Sequence, residues 1–156
     1  MMNIKSASFT LIELLVVISV IGILAAIVWV AVNPARQFAS ARDTQRRSDL
    51  YSVTNAIYQF AAEHNGRLPD TDGNDSTSNF PRTATCVGNT APCFNLAVAG
   101  GATDTERVVP TYIAEMPRDP STGTAANIQY TIYADANGRV VASASGELTA
   151  RITVIR

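Results

Sequence analysis

Between Phe9 and Val32 the chain reads FTLIELLVVISVIGILAAIVWVAV, 24 residues in which Glu13 is the only charge. As a helix rising about 1.5 Å per residue it reaches roughly 36 Å, enough to cross a hydrocarbon core of about 30 Å with some tilt. Its polar residues are few and placed early: Thr10 and Glu13 lie in the first turn and a half, and further in are the small residues Ser19 and Gly22. A carboxylate near a helix start meets the positive end of the macrodipole and lies close to the headgroup layer. Deeper in lipid it would cost about 2.5–3.5 kcal/mol and would mark a functional pairing. Spacing alone leaves both readings of Glu13 open, an interfacial carboxylate without a partner or one half of a pair.

The residues around that start carry a resemblance. Ser8, Phe9, Thr10, Leu11, Ile12, Glu13, Leu14 and Leu15, after a short polar leader containing Lys5, resemble the processing site of type IV pilins and pseudopilins. The resemblance implies that a prepilin peptidase cuts between Ser8 and Phe9 and that the new amine of Phe9 is methylated. It also implies that Glu13, the fifth residue of the mature chain, faces the Phe9 amine of a neighbouring subunit. Immediately before the cut the family prefers Gly, and this chain has Ser8, another small residue.

Without the leader and the apolar run, about 120 residues remain for one small domain. A net charge of −1 and a pI near 5.7 give no electrostatic footprint for nucleic acid over the chain as a whole. The apolar run is too long for the 7–15-residue core of an ordinary secretory signal. Cys86 and Cys93, with six residues between them, lie in a stretch rich in Gly, Pro, Thr and Asn. If that part of the chain is exported, a disulfide is the natural reading; with a single, distant His and no second Cys pair, metal ligation is not. Orientation is contested. Arg36, Arg42, Arg46 and Arg47 follow the apolar run, so a positive-inside count leans toward a cytoplasmic C-terminus. The cysteines and the pilin resemblance put the C-terminal domain outside, and this is the expectation carried forward.

At Asn33-Pro34 the missing N–H and the ring of proline predict a kink or short break. Helix then resumes, since residues 35–63 contain no Gly or Pro, and Leu50, Val53, Ile57, Phe60 and Ala61 fall on one face. Residues 36–49 are mostly polar, with Phe38, Ala39 and Ala41 to bury, and read as solvated or subunit-facing. His64-Asn65-Gly66 closes the helix and Pro69 follows. Unbroken from Phe9 to His64, 56 residues would span roughly 84 Å. A domain of some 90 residues cannot cover such a rod, so lipid or other copies must bury its first half. Residues 67–106 show no sustained period, which is unusual in a compact domain. A short helical turn is expected around Val108 to Ala114. Strands are expected at Ile128 to Ala134, Arg139 to Ala144 and Leu148 to Ile155, the first two joined by a tight Asp135-Ala136-Asn137-Gly138 hairpin. In the last, Leu148, Ala150, Ile152 and Val154 share a face. The expected fold is α+β: a long N-terminal helix packed on a three-stranded antiparallel sheet, the arrangement the pilin resemblance also implies. The organisation follows as leader 1–8, helix 9–64 with its membrane or filament part at 9–32, and head 65–156 with an αβ-loop at 65–107 and the sheet within 128–156.

The inventory for catalysis is thin. His64 is the only imidazole and sits at a helix end, and no phosphate loop, nucleophile elbow or metal cluster appears. Asp70, Asp72, Asn74 and Asp75 crowd oxygens around Gly73, which suits a hard cation but equally suits a solvated turn, and the EF-hand spacing is missing. Asp119 with Ser121 is a second calcium candidate, implied by resemblance to pseudopilins that bind calcium in the corresponding loop. No other cofactor is expected. The cluster Arg36, Arg42, Arg46 and Arg47 has three open readings: lipid headgroups, salt bridges with Asp43, Asp49 or a neighbouring subunit, or DNA. Without interleaved aromatics the last is weak. The sequence therefore reads as a non-enzymatic structural subunit of a type IV pilus or type II secretion-like pseudopilus. Its partners would be copies of itself, prepilin peptidase, the assembly machinery and the membrane. The alternative is a monomeric, membrane-anchored surface module that binds a ligand and never polymerises.

Overall fold

A computed structural model of the chain describes residues 9–73, 78–100 and 107–156. It divides into two compact units, one ending at Phe38 and the other beginning at Ala39.

The first unit is dominated by helix α1, Leu11–Val32. Thr10 caps it in an extended conformation, and the helix stops at Asn33, which takes the left-handed conformation at φ 43° and ψ 76°. Helix α2, Pro34–Glu63, starts at once, so the break stands at the Asn-Pro dipeptide, where it was expected, and helix resumes after it. Proline is well placed at a first helical position because its missing N–H would have no partner there. Instead, the amides of Arg36 and Gln37 donate to the Asn33 carbonyl at 3.1 and 3.3 Å.

The second unit is built on α2. Ala39, Asp43, Arg46, Leu50, Val53, Ile57 and Phe60 recur every three or four residues and all are buried, forming one stripe of the helix. Against its apolar part lies an antiparallel sheet of β1 (Thr85–Cys86), β2 (Tyr130–Ala134), β3 (Val140–Ala144) and β4 (Ile152–Ile155), in that spatial order. The sheet has four strands rather than the three expected. The additional one is only two residues long, too short to show a period, and pairs Thr85 with Ile132 and Cys86 with Thr131. Tyr130, Ile132, Ala134, Val140, Ala142, Ala144, Ile152 and Val154 all join the core that α2 covers. The β2–β3 turn closes at Gly138, φ +79°, with the Gly138 amide donating to the Asp135 carbonyl at 3.0 Å. Only glycine takes that conformation freely.

Strand β4 is shorter than expected. Leu148 and Ala150 lie outside it and are exposed, because residues 147–149 turn their amides toward α2 instead of a neighbouring strand. The region without period, residues 67–106, also fills much of the core. Phe80, Val87, Phe94, Leu96 and Ala99 are buried, and the Phe80 and Phe94 rings meet edge-on at 5.5 Å. A short turn, α3 (Val108–Thr111), buries Val108 beside them; it ends before Ala114, the limit the sequence suggested. At the far end of α2 the His64 ring stacks on Phe60 at 3.9 Å, a packing role for the one imidazole.

Candidate functional site

Two arrangements gather the residues that sequence reasoning singled out, one in each unit. The first is the start of α1. Thr10 and Glu13 form a reciprocal cap: the Thr10 amide and hydroxyl both donate to Glu13 Oε2, at 2.9 and 2.8 Å, and the Glu13 amide donates to Thr10 Oγ1 at 3.3 Å. Such a box satisfies amide donors that a helix start otherwise leaves open. It also fixes the carboxylate at the mouth of the helix, beside the backbone of Phe9, whose side chain is 83% exposed. Ser8, the other residue of the expected cut, lies outside the described residues. Further along, the Ser19 hydroxyl donates to the Leu15 carbonyl at 2.8 Å, so the one hydroxyl deep in the apolar run is satisfied within the helix.

No residue of α1 is buried. Sixteen large apolar side chains between Leu11 and Val32 stand exposed. At about 1.5–3 kcal/mol for each such side chain, leaving them in water forfeits some 25–50 kcal/mol, several times the stability of an ordinary domain. The surface is therefore built to be covered. By length and composition α1 lies within the one helix, among the described residues, able to cross a membrane.

The second arrangement is an ion-pair cluster centred on Arg46, which is only 3% exposed. Its Nε donates to Asp119 Oδ2 at 2.6 Å, Nη1 to Asp43 Oδ1 at 2.8 Å, and Nη2 to Ser121 Oγ at 2.9 Å and Glu147 Oε1 at 3.0 Å. Arg42 joins from one turn earlier, its Nε donating to Glu147 Oε1 at 2.7 Å. Asp43 meanwhile accepts the amides of Glu147, Leu148 and Thr149 at 2.8–3.2 Å. Asp119 accepts those of Ser121 and Thr122 at 2.8 and 2.9 Å. One helix face thus holds two chain segments more than 70 residues away. The turn at 146–149 needs glycine for a steric reason, since a Cβ on Gly146 would sit 2.1 Å from the Thr149 carbonyl oxygen.

The electrostatics follow the geometry. Burial would raise the Asp43 carboxyl, but the amides of 147–149 together with Arg46 outweigh it and bring the pKa down to about 2. Glu147 is held at about 2, chiefly by Arg42 and, against some desolvation, by Ser121 and Arg46. For Asp119 burial again opposes, and Arg46 with the two loop amides wins, leaving the pKa lowered. Arg46 is raised, mostly through Asp119. Beside the cluster, Asp49 accepts from the Tyr130 hydroxyl and from Gln45 Nε2, each at 2.7 Å, and burial together with that carboxylate pushes the Tyr130 phenol up.

This corrects the expectation that residues 36–49 are solvated or subunit-facing: Asp43, Arg46 and Asp49 are buried. Of the four arginines grouped by sequence, Arg42 and Arg46 are engaged within the head, whereas Arg36 and Arg47 are exposed. The signal for the cluster was present. The stripe of Leu50, Val53, Ile57 and Phe60, continued back toward the N-terminus, lands on Arg46 and Asp43. Their partners Asp119 and Glu147 carried no local signal.

The calcium candidates differ in what their oxygens already hold. The oxygens of Asp119 already face a guanidinium and two amides. Asp70 is buried, accepts the Gly73 amide at 3.1 Å and has its pKa raised by that burial; Asp72 is exposed, and Asn74 and Asp75 lie outside the described residues. Among the described residues no group of three or more His, Cys, Asp or Glu is gathered to hold a metal. Cys86 and Cys93 are joined by a disulfide, their Cα atoms 4.6 Å apart, which pins the loop after β1.

Compared with known protein families, residues 4–29 match the prokaryotic N-terminal methylation motif. That motif is the leader signature of type IV pilins and pseudopilins, and it implies handling by prepilin peptidase and by assembly machinery. Searches of curated proteins and of solved structures gave no match.

Proposed function

We propose that this chain, a pilin-like or pseudopilin precursor by its leader, is the structural subunit of a type IV pilus or a type II secretion-like pseudopilus. The precursor is stored in the cytoplasmic membrane through α1 with its head outside, a side on which the Cys86–Cys93 bond is at home. Cleavage between Ser8 and Phe9 frees the Phe9 amine, and α1 then leaves lipid to pack against α1 of other copies as the core of a filament. The observation that carries this reading is a 22-residue helix with no buried residue whose single charge sits in its first turn. An apolar surface of that size needs a non-aqueous partner at every stage, and lipid and sister helices are alike in that respect.

Glu13 has a role in each setting. In the membrane its carboxylate is satisfied by the Thr10 amide and hydroxyl. In the filament it neutralises the Phe9 amine of the adjacent subunit, a pairing that matters because an unmatched charge in an apolar core costs several kcal/mol. The chemistry is assembly, and no catalytic role is assigned.

The test combines intact mass with shear fractionation. The mature protein is expected to lack eight residues and carry one added methyl group, and sheared surface material is expected to contain filaments. Glu13→Ala is expected to keep the protein in the membrane and to abolish or misregister filaments. Normal filaments from that variant would remove the role given to Glu13. A leader-bearing protein found only as single, membrane-held copies would favour the anchored surface module instead.

A further inference from the structure

We infer that Trp29, the helix break at Asn33-Pro34 and Arg36 form a headgroup-level anchor at which an anionic phospholipid binds, one acyl chain along α1 and its phosphate against the Arg36 guanidinium. The inference rests on the membrane reading of α1 and adds where along the chain the bilayer ends and which lipid meets it there.

The backbone sets the first limit. The ladder of α1 ends at Val32, and Asn33 is left-handed. Asn33 serves the next helix, accepting the Arg36 amide on both its carbonyl and its Oδ1, each within 3.3 Å. Proline at 34 brings no N–H back to the last carbonyls of α1. A break in the ladder is costly facing hydrocarbon, where no water is present to pair a freed backbone group. The apolar core of the bilayer must therefore end before Asn33.

Length sets the second limit. From Thr10, the polar start of the helix, to Trp29 is 19 residue steps, which at about 1.5 Å each gives roughly 28 Å against a core of about 30 Å. Trp29 is the only tryptophan of the chain and is 73% exposed. Indole rings collect at the membrane–water boundary because one end is apolar and the other carries an N–H.

The occupant follows from charge and shape. An open apolar groove of about 540 Å³ runs along α1 from Ile21 past Ala25 and Val28 to Pro34, with Trp29 on its wall. Ala25 is the smallest side chain on its lining. Two residues after Pro34 in the chain comes Arg36, exposed and in no ion pair among the described residues. The next acidic residue in sequence, Asp43, is already taken up by Arg46 and the amides of 147–149. An apolar trough with an exposed arginine next along the chain suits an acyl chain whose headgroup is a phosphate.

The single tryptophan makes the test direct. Full-length protein is reconstituted in vesicles containing phosphatidylcholine or phosphatidylglycerol brominated either near the glycerol end of the acyl chain or near its terminal methyl, and quenching of Trp29 emission is measured. The inference expects strongest quenching from bromine near the glycerol. In mixed vesicles it expects brominated phosphatidylglycerol to be preferred over brominated phosphatidylcholine by about fivefold, the factor for one basic residue at an anionic surface. Arg36→Gln is expected to bring that preference to unity with the depth unchanged. Strongest quenching from the terminal methyl overturns the anchor while leaving α1 in the membrane. An anionic preference that survives Arg36→Gln overturns the phosphate site. Absence of quenching by any of the lipids overturns the membrane reading itself, and the anchor with it.

Discussion

Removing the guanidinium of Arg46 while keeping an aliphatic stem of similar reach, as in Arg46→Met, tests whether the head depends on the buried cluster. In the wild type one side chain, 4% exposed, satisfies Asp43, Asp119, Ser121 and Glu147. The variant leaves three carboxylates facing one another with only Arg42 nearby, and breaking a buried pair from one side costs about 3–5 kcal/mol. The unit beginning at Ala39 spans 118 residues to Arg156, and for that size 1 kcal/mol corresponds to about 4 °C in Tm. The expected loss is thus about 12–20 °C at neutral pH, read by near-ultraviolet circular dichroism of the full chain in detergent. Asp43, Asp119 and Glu147 all titrate below their ordinary values in the folded wild type. Their contribution is therefore complete above the unfolded carboxyl range near pH 4 and is lost as pH falls through about 2. Without Arg46 the crowded carboxylates gain from protonation, so the gap between variant and wild type should narrow over that window. Replacing Asp119 with Leu in the Arg46→Met background should recover part of the loss, because the uncompensated charge goes with it. An Arg46→Met variant melting within about 2 °C of wild type at pH 7, a shift too small for any broken buried pair, would refute the reasoning.

Other outcomes are expected from the same structure. Ser8→Gly, which supplies the residue the pilin resemblance prefers, should raise the processed fraction seen by intact mass, with no change in the mature product. Cys86→Ser with Cys93→Ser opens a link of sequence separation seven; it should lower stability by about 2–3 kcal/mol, or roughly 10 °C in Tm, and leave membrane insertion unchanged. Gly146→Ala drives a methyl against the Thr149 carbonyl and should cost about 1–3 kcal/mol in a denaturant titration. Calcium and chelator should leave the Tm of the wild type alike, since a guanidinium already faces Asp119; a rise with calcium would return cation binding to the loop around Asp70 and Asp72.

Elements with a strong local period were legible in the amino-acid sequence: the membrane-length run, the apolar stripe Leu50 to Phe60, the turn at Asp135 to Gly138 and the strands on either side. What escaped was non-local. Strand β1 holds two residues against β2, and a two-residue strand has no alternation to detect. Phe80, Phe94 and Leu96 are buried in the same core cluster as residues of α2 and of the strands, while their own neighbourhood is rich in Asn, Thr and Gly and reads as loop. The last strand was overextended for a related reason. Leu148 and Ala150 continue the alternation of Ile152 and Val154, but three carbonyl-seeking amides at 147–149 found a stronger acceptor in Asp43. A charged acceptor beats a neutral strand partner, and nothing in the local pattern says where that acceptor is.

The same point explains why charge sits in the middle of a helix stripe that is otherwise apolar. Along α2 the buried residues change from Asp43, Arg46 and Asp49 to Leu50, Val53 and Ile57, and what they hold changes too. The apolar turns face β-strands, whose backbone groups are already paired, so contact and burial suffice. The charged turns face the 119–122 loop and the 146–149 turn, where backbone amides have no ladder and need acceptors. Asp43 and Asp119 supply those acceptors, and Arg46 is the cation that lets two such carboxylates lie buried so close together. Apolar side chains at 43 and 46 would leave the amides of 147–149 unmet, at about 1–3 kcal/mol for each one buried. The cluster is therefore less a gain in raw stability than a specification: it determines which loops close over α2, as hydrophobic contact alone could not.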